Sequence, residues 1–518
     1  MIKRLIPVLV VLAVVSIAQA AAPRDLPNIV IILADDLGYG DPGCYNADSK
    51  IPTPNIDRFA AGAMRFTDGH SASGICSPSR YTLLTGRYHW RTRLQRGIVG
   101  LWERPLIAPD RMTIASMLKQ RGYRTAAIGK WHLGWDWPIE PDERFAFKRF
   151  KHNAQVNDKL RAAWHDVFTR PIAGGPTARG FDTYFGTDVP NWPPYCHIEN
   201  NRTLGIPSEY LPPHLFKGHQ ASQQGPALKG WTLEPILPTL GERAVESIID
   251  LAKRDEPYFL YLPLTVPHTP LAVNDAFKDK SGLSVYGDFV METDAVIGQV
   301  LDAIDASGEA DRTLVMFTSD NGCAPYIGAA EMETKGHHPS GPLRGYKGDT
   351  WEGGHRVPLI IRYPGVTRPG SVTDALAGQV DFVATIAEIV GFDLPPGAGE
   401  DSVSLMPVLR DPDKSTRDSL ICQGGNGLLS IRRGRWKLIA GPGSGGFWSK
   451  PPGNDKQPGQ LYNLAEDLPE TQNRFDAEPT LAIELTALLK EQVESGRSTP
   501  GPPQKNDVPV KWNRLKKP

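Results

Sequence analysis

Two pairs of oxygen-bearing side chains each follow an apolar run. Asp35 and Asp36 come after NIVIIL (28–33), and Asp320 and Asn321 come after TLVMFT (313–318). Hard oxygen donors of this kind suit Ca²⁺ or Mg²⁺, and a set without histidine argues against zinc or copper. Either pair alone reads as turn initiation. Together, at the ends of two strands, they read as one metal site. Cations and imidazoles fall at comparable places. Lys130 and His132 lie in GKWHLG, His268 follows YFLYLPL, and Lys347 lies in the glycine-rich GYKGDTWEGGHRVP. Such a group suits a small, dense anion carried on a metal and clamped by cations, as in hydrolysis of a sulfate or phosphate ester.

Residues 75–87 read ICSPSRYTLLTGR. Ser77 is the expected N-cap of a helix, Pro78 its first residue and Gly86 its end. Cys76 then sits at a helix N-terminus beside Arg80, where backbone N–H groups and the dipole favour anions and are expected to lower the thiol pKa. Three readings stand: a buried structural cysteine, a thiolate nucleophile, or a modified residue. A thiolate enzyme needs a nearby base in a neutral site, whereas the neighbours here are cations and a metal. A thiolate would also attack sulfur or phosphorus poorly and would oxidise after export.

These residues need a scaffold. The chain has 518 residues, enough for two domains or one elaborated one. Its formal charge of −1 leaves no global basic field for nucleic acid. Lys3 and Arg4, the apolar run 6–17 and Ala18-Gln19-Ala20 predict a signal peptide over 1–20. The expected location is secreted or periplasmic, with no stable membrane insertion after cleavage. Cys44, Cys76, Cys196, Cys323 and Cys422 are odd in number and widely spaced, which is neither a disulfide framework nor a zinc site. Apolar runs at 28–33, 125–128, 258–264 and 313–318 alternate with helical spacing at 54–63, 112–120 and 289–304. That alternation predicts an α/β fold with a sheet covered on both faces and ligands at its strand ends. Past residue 405, LLSIRRGRWKLI and QLYNLAED suggest short antiparallel strands, followed by an amphipathic helix over 478–493 and a Pro-rich, basic, extended tail. The expected division is a catalytic domain over 21–405 and a smaller α+β unit over 406–518.

The stretch CSPSRYTLLTGR resembles the signature of the formylglycine-dependent sulfatases, of the arylsulfatase and N-acetylgalactosamine-6-sulfatase type. NIVIILADDLGYGD, TPNIDRFAAGAMRFTDGH, GKWHLG, GFDTYFG, VPHTP, FTSDNG, KGDTWEGGHRVP and LYNLAEDLPET are similar to that family's blocks, in its order. The resemblance implies an alkaline phosphatase-like large sheet sandwiched by helices. It implies conversion of Cys76 to Cα-formylglycine during export by a formylglycine-generating enzyme. It also implies one Ca²⁺ on Asp35, Asp36, Asp320, Asn321 and residue 76. Arg80 matches the residue that stabilises the aldehyde hydrate, Lys130 and Lys347 the sulfate clamp, His132 a contact to the hydrate and His268 the acid on the ester oxygen. Tyr39, Gly40, Arg87 and Glu352 lie in matching blocks as supporting residues.

One place departs from the family: near Pro190-Asn191 many members carry a serine or similar group that helps hold sulfate. Asn191 could substitute there, and it stands outside the main site. The following loop, DVPNWPPYCHIENNRT, offers Trp192 and Tyr195 to stack on a sugar ring and His197, Glu199 and Asn200 to bond its hydroxyls. The expected substrate is therefore a sulfated saccharide, attacked at a chain end. A phosphate or phosphonate ester hydrolase of the same superfamily, or a non-catalytic glycan-binding relative, is the alternative. Asn321 after Asp320, where the formylglycine-bearing phosphonate hydrolases have histidine, favours sulfate.

Overall fold

The structure, a computed structural model, describes residues 26–151, 154–216, 221–449 and 457–515. The expected signal peptide lies outside the described residues. Among the described residues, no helix is long and apolar enough to cross a membrane.

The first strand, Asn28–Asp35, is central to a ten-stranded mixed sheet. It pairs in parallel with Tyr258–Pro267 on one side and Thr313–Ser319 on the other. Arg124–Lys130 and Thr183–Thr187 extend the parallel run, while Leu359–Arg362 turns antiparallel beyond Thr313–Ser319. Side chains alternate faces along a strand, so an unbroken apolar run needs cover on both sides. Val30 and Ile32 pack among residues of the helices Ile236–Ala252 and Val285–Ala306. Ile29, Ile31 and Leu33 pack among those of Cys76–Thr85, Ile114–Gln120 and Phe382–Ile389. Each such side chain contributes about 1.5–3 kcal/mol on full burial.

A second, antiparallel sheet runs in chain order through Ser419–Gln423, Leu429–Arg433, Trp436–Ile439 and Gln460–Asn463, covered by the helix Pro479–Glu494. Its core includes Tyr88, Trp90 and Val380 of the main body. Buried ion pairs cross the same junction. Glu352 takes Lys437 at 2.9 Å and Arg432 at 3.4 Å, and Lys437 also meets Glu470 at 2.9 Å. The tail, extended as its proline content suggests, lies along the body, with Asp507 on Arg87 at 2.9 Å and Arg514 donating to the Asn426 carbonyl at 2.8 Å.

The signature helix differs from its expected start. It begins at Cys76, with Ile75 as an extended N-cap and no side-chain cap. The Ser77 hydroxyl is used elsewhere, accepting from the Val99 N–H at 3.2 Å. A tertiary contact thus displaces the local capping preference. The far end is as expected: Gly86 closes the helix at φ 63°, its N–H donating to the Thr82 carbonyl.

Candidate active site

The carboxyl ends of the parallel strands deliver the charged groups to one place. Asp35 ends the first strand and Asp36 follows in left-handed backbone (φ 68°), which turns its side chain out of the sheet register. Lys130 ends the strand Arg124–Lys130. Gly129 precedes it because nothing else fits: a Cβ there would lie 1.9 Å from the Pro263 carbonyl oxygen. Asp320 follows Thr313–Ser319, its N–H tied to the Ala34 carbonyl at 3.0 Å, and His268 follows Tyr258–Pro267. Lys347 arrives on the glycine-rich loop, its N–H donating to the Cys323 carbonyl at 2.9 Å.

The contacts are mutual. Lys130 Nζ lies 2.5 Å from Asp35 Oδ2. Lys347 Nζ lies 2.6 and 2.7 Å from the two Asp36 oxygens. Arg80 donates through Nε and Nη2 to Asp320 Oδ2 at 3.0 and 2.8 Å and through Nη1 to the Lys130 carbonyl at 3.0 Å. Asn321 Nδ2 donates to Asp36 Oδ1 at 2.7 Å. Every expected chemical residue, Cys76 included, is therefore in or against this cluster, and each is buried.

Burial and charge set the protonation states. Burial opposes ionisation of Asp35, but Lys130, His268, Arg80 and Lys347 outweigh it and hold the carboxyl well below the usual range. Asp320 goes the other way: burial and then the Asp35 carboxylate raise it to about 7. Burial opposes the charge on Lys347, yet Asp36 keeps that ammonium protonated far above its ordinary range. His268 falls to about 4 through burial and Lys347. Its Nδ1 lies 2.6 Å from the Thr269 carbonyl, so Nδ1 carries the proton and Nε2, 3.7 Å from Asp36 Oδ2, carries the lone pair. His132 is held neutral by burial and then Lys130. Its Nε2 faces the Val99 carbonyl at 3.2 Å, leaving Nδ1 as a buried acceptor without a partner.

Cys76 departs from the expectation of a lowered thiol pKa. Burial pushes it up to about 11, more than Lys130 and Lys347 pull it down. Desolvation of a thiolate costs more than a helix N-terminus and two already paired cations return.

The donor set fits a hard divalent cation. Ligand atoms of Asp35, Asp36, Cys76 and His268 lie within 4.8 Å of one another, so an imidazole stands beside the oxygen donors where the sequence pattern pointed to a set without histidine. Asp35 Oδ1 and Asn321 Oδ1 are buried and accept no hydrogen bond. A buried oxygen without a donor is costly unless a cation meets it.

A cavity of about 300 Å³ opens over Cys76, Lys130, His132, His268 and Lys347. Its walls include Ile75, Ile98, Asn191, Trp192, Tyr326, Phe447 and Trp448. Only part of the expected sugar-binding loop is here. Tyr195 is buried, its hydroxyl donating to the Asn191 carbonyl at 2.8 Å and its ring against Phe216. His197 packs between Phe185 and Trp231. Glu199 and Asn200 lie at a hairpin turn, and Asn200 Oδ1 accepts from the Tyr184 N–H. These four do not line the cavity. Asn191 does; its amide N donates to the Ala221 carbonyl at 2.7 Å, and its Oδ1 is buried without a partner. Tyr326, Phe447 and Trp448 escaped sequence reasoning. The only signal was the adjacent pair Phe447-Trp448 in a glycine-rich stretch, GPGSGGFW.

The family profile described as Sulfatase matches residues 27–392. The chain belongs to the sulfatase family. Across 94% of its length this sulfatase is 30% identical to an N-acetylgalactosamine-6-O-sulfatase of Bacteroides thetaiotaomicron, covering 98% of that protein. It is 32% identical to human arylsulfatase A, over 94% of this chain and 92% of that one. A structure solved in work on the metabolism of multiple glycosaminoglycans by Bacteroides thetaiotaomicron superposes with a TM-score of 0.75 at 30% identity, covering 90% of this sulfatase and 99% of that chain.

Proposed function

We propose that this sulfatase removes sulfate from a saccharide, with residue 76 converted to Cα-formylglycine and one Ca²⁺ held by Asp35, Asp36, Asp320, Asn321 and residue 76. The observation that carries the reading is the burial of Cys76 among three carboxylates and three cations, with its thiol held protonated. Such a thiol is a poor nucleophile as it stands, and its place in CSPSR is where the family makes an aldehyde. Since Cys76 is 2% exposed, the formylglycine-generating enzyme must act before the core closes. This fits maturation during export to a secreted or periplasmic location.

The hydrated aldehyde would supply one hydroxyl to attack sulfur and a second whose collapse back to the aldehyde would break the C–O bond and expel sulfate, and the ion would supply Lewis acidity beside them. The chain's own residues do the rest. Asp35, Asp36 and Asp320 are matched by Lys130, Lys347 and Arg80. A divalent ion then leaves the site positive, and an anionic ester is drawn in. Lys130 and Lys347 hold sulfate oxygens and meet the charge that grows on them. His132 Nδ1 accepts from the attacking group and orients it. Asp320, its carboxylate fixed by Arg80, is placed to accept the proton of the attacking hydroxyl. His268 sits where the ester oxygen leaves, and the arriving anion raises its proton affinity so that Nε2 can donate. On this reading residues 21–405 carry the chemistry, and 406–518 complete the cavity rim. The N-acetylgalactosamine-6-O-sulfatase relative and the glycosaminoglycan setting of the superposed structure support a saccharide substrate, taken at a chain end because the cavity is small.

The test pairs mass spectrometry of the peptide containing residue 76 with turnover of 6-sulfated N-acetylgalactosamine, before and after chelation. Expected are an aldehyde at position 76, loss of activity with the metal, and recovery with Ca²⁺ rather than Zn²⁺. Full turnover by protein carrying only the unmodified thiol would end the formylglycine reading. Indifference to chelation would end the metal assignment.

A further inference from the structure

A second concave site adjoins the catalytic mouth. A cavity of about 660 Å³ is lined by Arg93, Arg96, Lys511 and Arg514 with Gln95 and the apolar pair Val508-Pro509. None of the lining residues is acidic, and among the described residues none of the four cations pairs with a carboxylate. Arg93 donates to the Arg104 and Pro105 carbonyls, and Arg514 to Asn426. These bonds orient the guanidinium groups without cancelling their charge. Arg514 is pulled below its ordinary pKa by burial and then by Arg96, so two like charges are held close together. The wall is built, not a loose tail: Gln95 Nε2 donates to the Pro509 carbonyl at 2.8 Å.

The two cavities share a loop. Arg93, Gln95 and Arg96 line the basic one, and the next residues, Gly97 and Ile98, line the catalytic one. The turn 424–427 ties them together. Gly97 donates to the Gly425 carbonyl at 2.8 Å, Phe447 of the catalytic rim packs on Gly425, and Arg514 packs on Gly427. The catalytic wall, by contrast, is aromatic and aliphatic beyond its anion clamp.

We propose that the cleft of Arg93, Arg96, Lys511 and Arg514 binds a second anionic group, sulfate or carboxylate, of the same saccharide chain whose ester lies at residue 76. This rests on the saccharide-sulfatase reading. It makes the preferred substrate an oligosaccharide carrying more than one negative charge, entering from the side of the 93–98 loop. Clustered unpaired cations around a concavity focus potential toward such a ligand and speed its capture.

The experiment uses the matured, Ca²⁺-loaded enzyme with Arg96→Glu/Lys511→Glu and its neutral control Arg96→Gln/Lys511→Gln. Both side chains are solvent-exposed, so the fold is retained. Substrates are a multiply sulfated hexasaccharide, a neutral hexasaccharide bearing one sulfate, and a monosulfated monosaccharide. The charge reversal should raise KM on the multiply sulfated chain roughly tenfold, the neutral variant by about three, with kcat unchanged. KM on the other two should hold, and the salt dependence seen with the multiply sulfated chain should flatten. Equal KM changes on all three substrates, or none on any, overturn the proposal. Failure of the wild-type enzyme to release sulfate from any of the saccharides overturns the saccharide reading itself and this inference with it.

Discussion

Trp448 offers a clean test of the cavity wall. It keeps 46% of its surface exposed, and its ring stands edge-on to Tyr326 with centroids 5.2 Å apart. A tryptophan side chain presents up to about 250 Å². If a sugar ring covers half of the part left exposed, ~55 Å² leaves water at about 25 cal/mol per Å², which is ~1.4 kcal/mol or roughly tenfold in affinity. Trp448→Ala should therefore raise KM for a sulfated saccharide about tenfold and leave kcat near its original value, because Trp448 is not among the charged groups of the cluster. A small aryl sulfate, which needs only the anion clamp, should lose far less. Trp192→Ala should behave differently. The Trp192 indole N–H donates to the Ala221 carbonyl at 2.8 Å, and its ring packs on His132 at 5.7 Å. Its removal should lower kcat on both substrates through His132. Steady-state kinetics on the two substrates, with a melting curve for each variant, measure this. Unchanged KM for Trp448→Ala on every saccharide tried, with the fold intact, would show that the exposed ring faces away from the bound substrate.

Asn191→Leu should cost roughly two- to tenfold in kcat/KM on a saccharide that offers Asn191 a hydroxyl or amide donor, and nothing on an aryl sulfate; equal losses would return Asn191 to the sulfate itself. His89 is fully buried, with Nε2 at 2.7 Å from Gln423 Oε1 and Nδ1 without a partner, and burial lowers it from 6.5 to about 4. Its folded pKa lies below the unfolded one, so its stabilising share is complete above pH 6.5 and is lost as pH falls through about 4, a change of ~3 kcal/mol. Denaturant midpoints between pH 7.5 and 4 should fall less steeply for His89→Gln than for the wild type, and parallel curves would contradict the assignment.

The sheet and the chemical residues were legible for one reason: in a doubly covered α/β sheet, apolar runs mark the strands and the first polar residues after them mark the ligand edge. Asp35, Lys130, His268 and Asp320 are all read this way. What stayed hidden depends on contacts distant in sequence. Ser77 has the chemistry of a cap but is claimed by Val99. Cys76 has the position of an activated thiol, but its depth decides its pKa. The loop holding Trp192 and Tyr195 looked uniformly suited to sugar, yet residues 221–227 fold over it and bury Tyr195. Phe447 and Trp448 lie in a stretch without periodicity, Phe447 placed on the rim by its packing on Gly348 and Gly425 and Trp448 by its contact with Tyr326.

The ionic junction at Glu352 bears on how such enzymes can diversify. Glu352 sits five residues past Lys347, in the same loop, and its carboxylate is paired with Arg356 of the main body and with Lys437 and Arg432 of the second sheet. The Thr350 N–H is likewise satisfied by the Ser444 carbonyl, three residues before Phe447. A graft that exchanged residues 406–518 for those of another enzyme would import a new rim, but it would also leave the buried Glu352 carboxylate with Arg356 as its one remaining cation among the described residues. Breaking one side of such a pair costs about 3–5 kcal/mol. New substrate preferences are therefore more accessible by point changes at Phe447, Trp448 and the 93–98 loop than by recombination of whole segments.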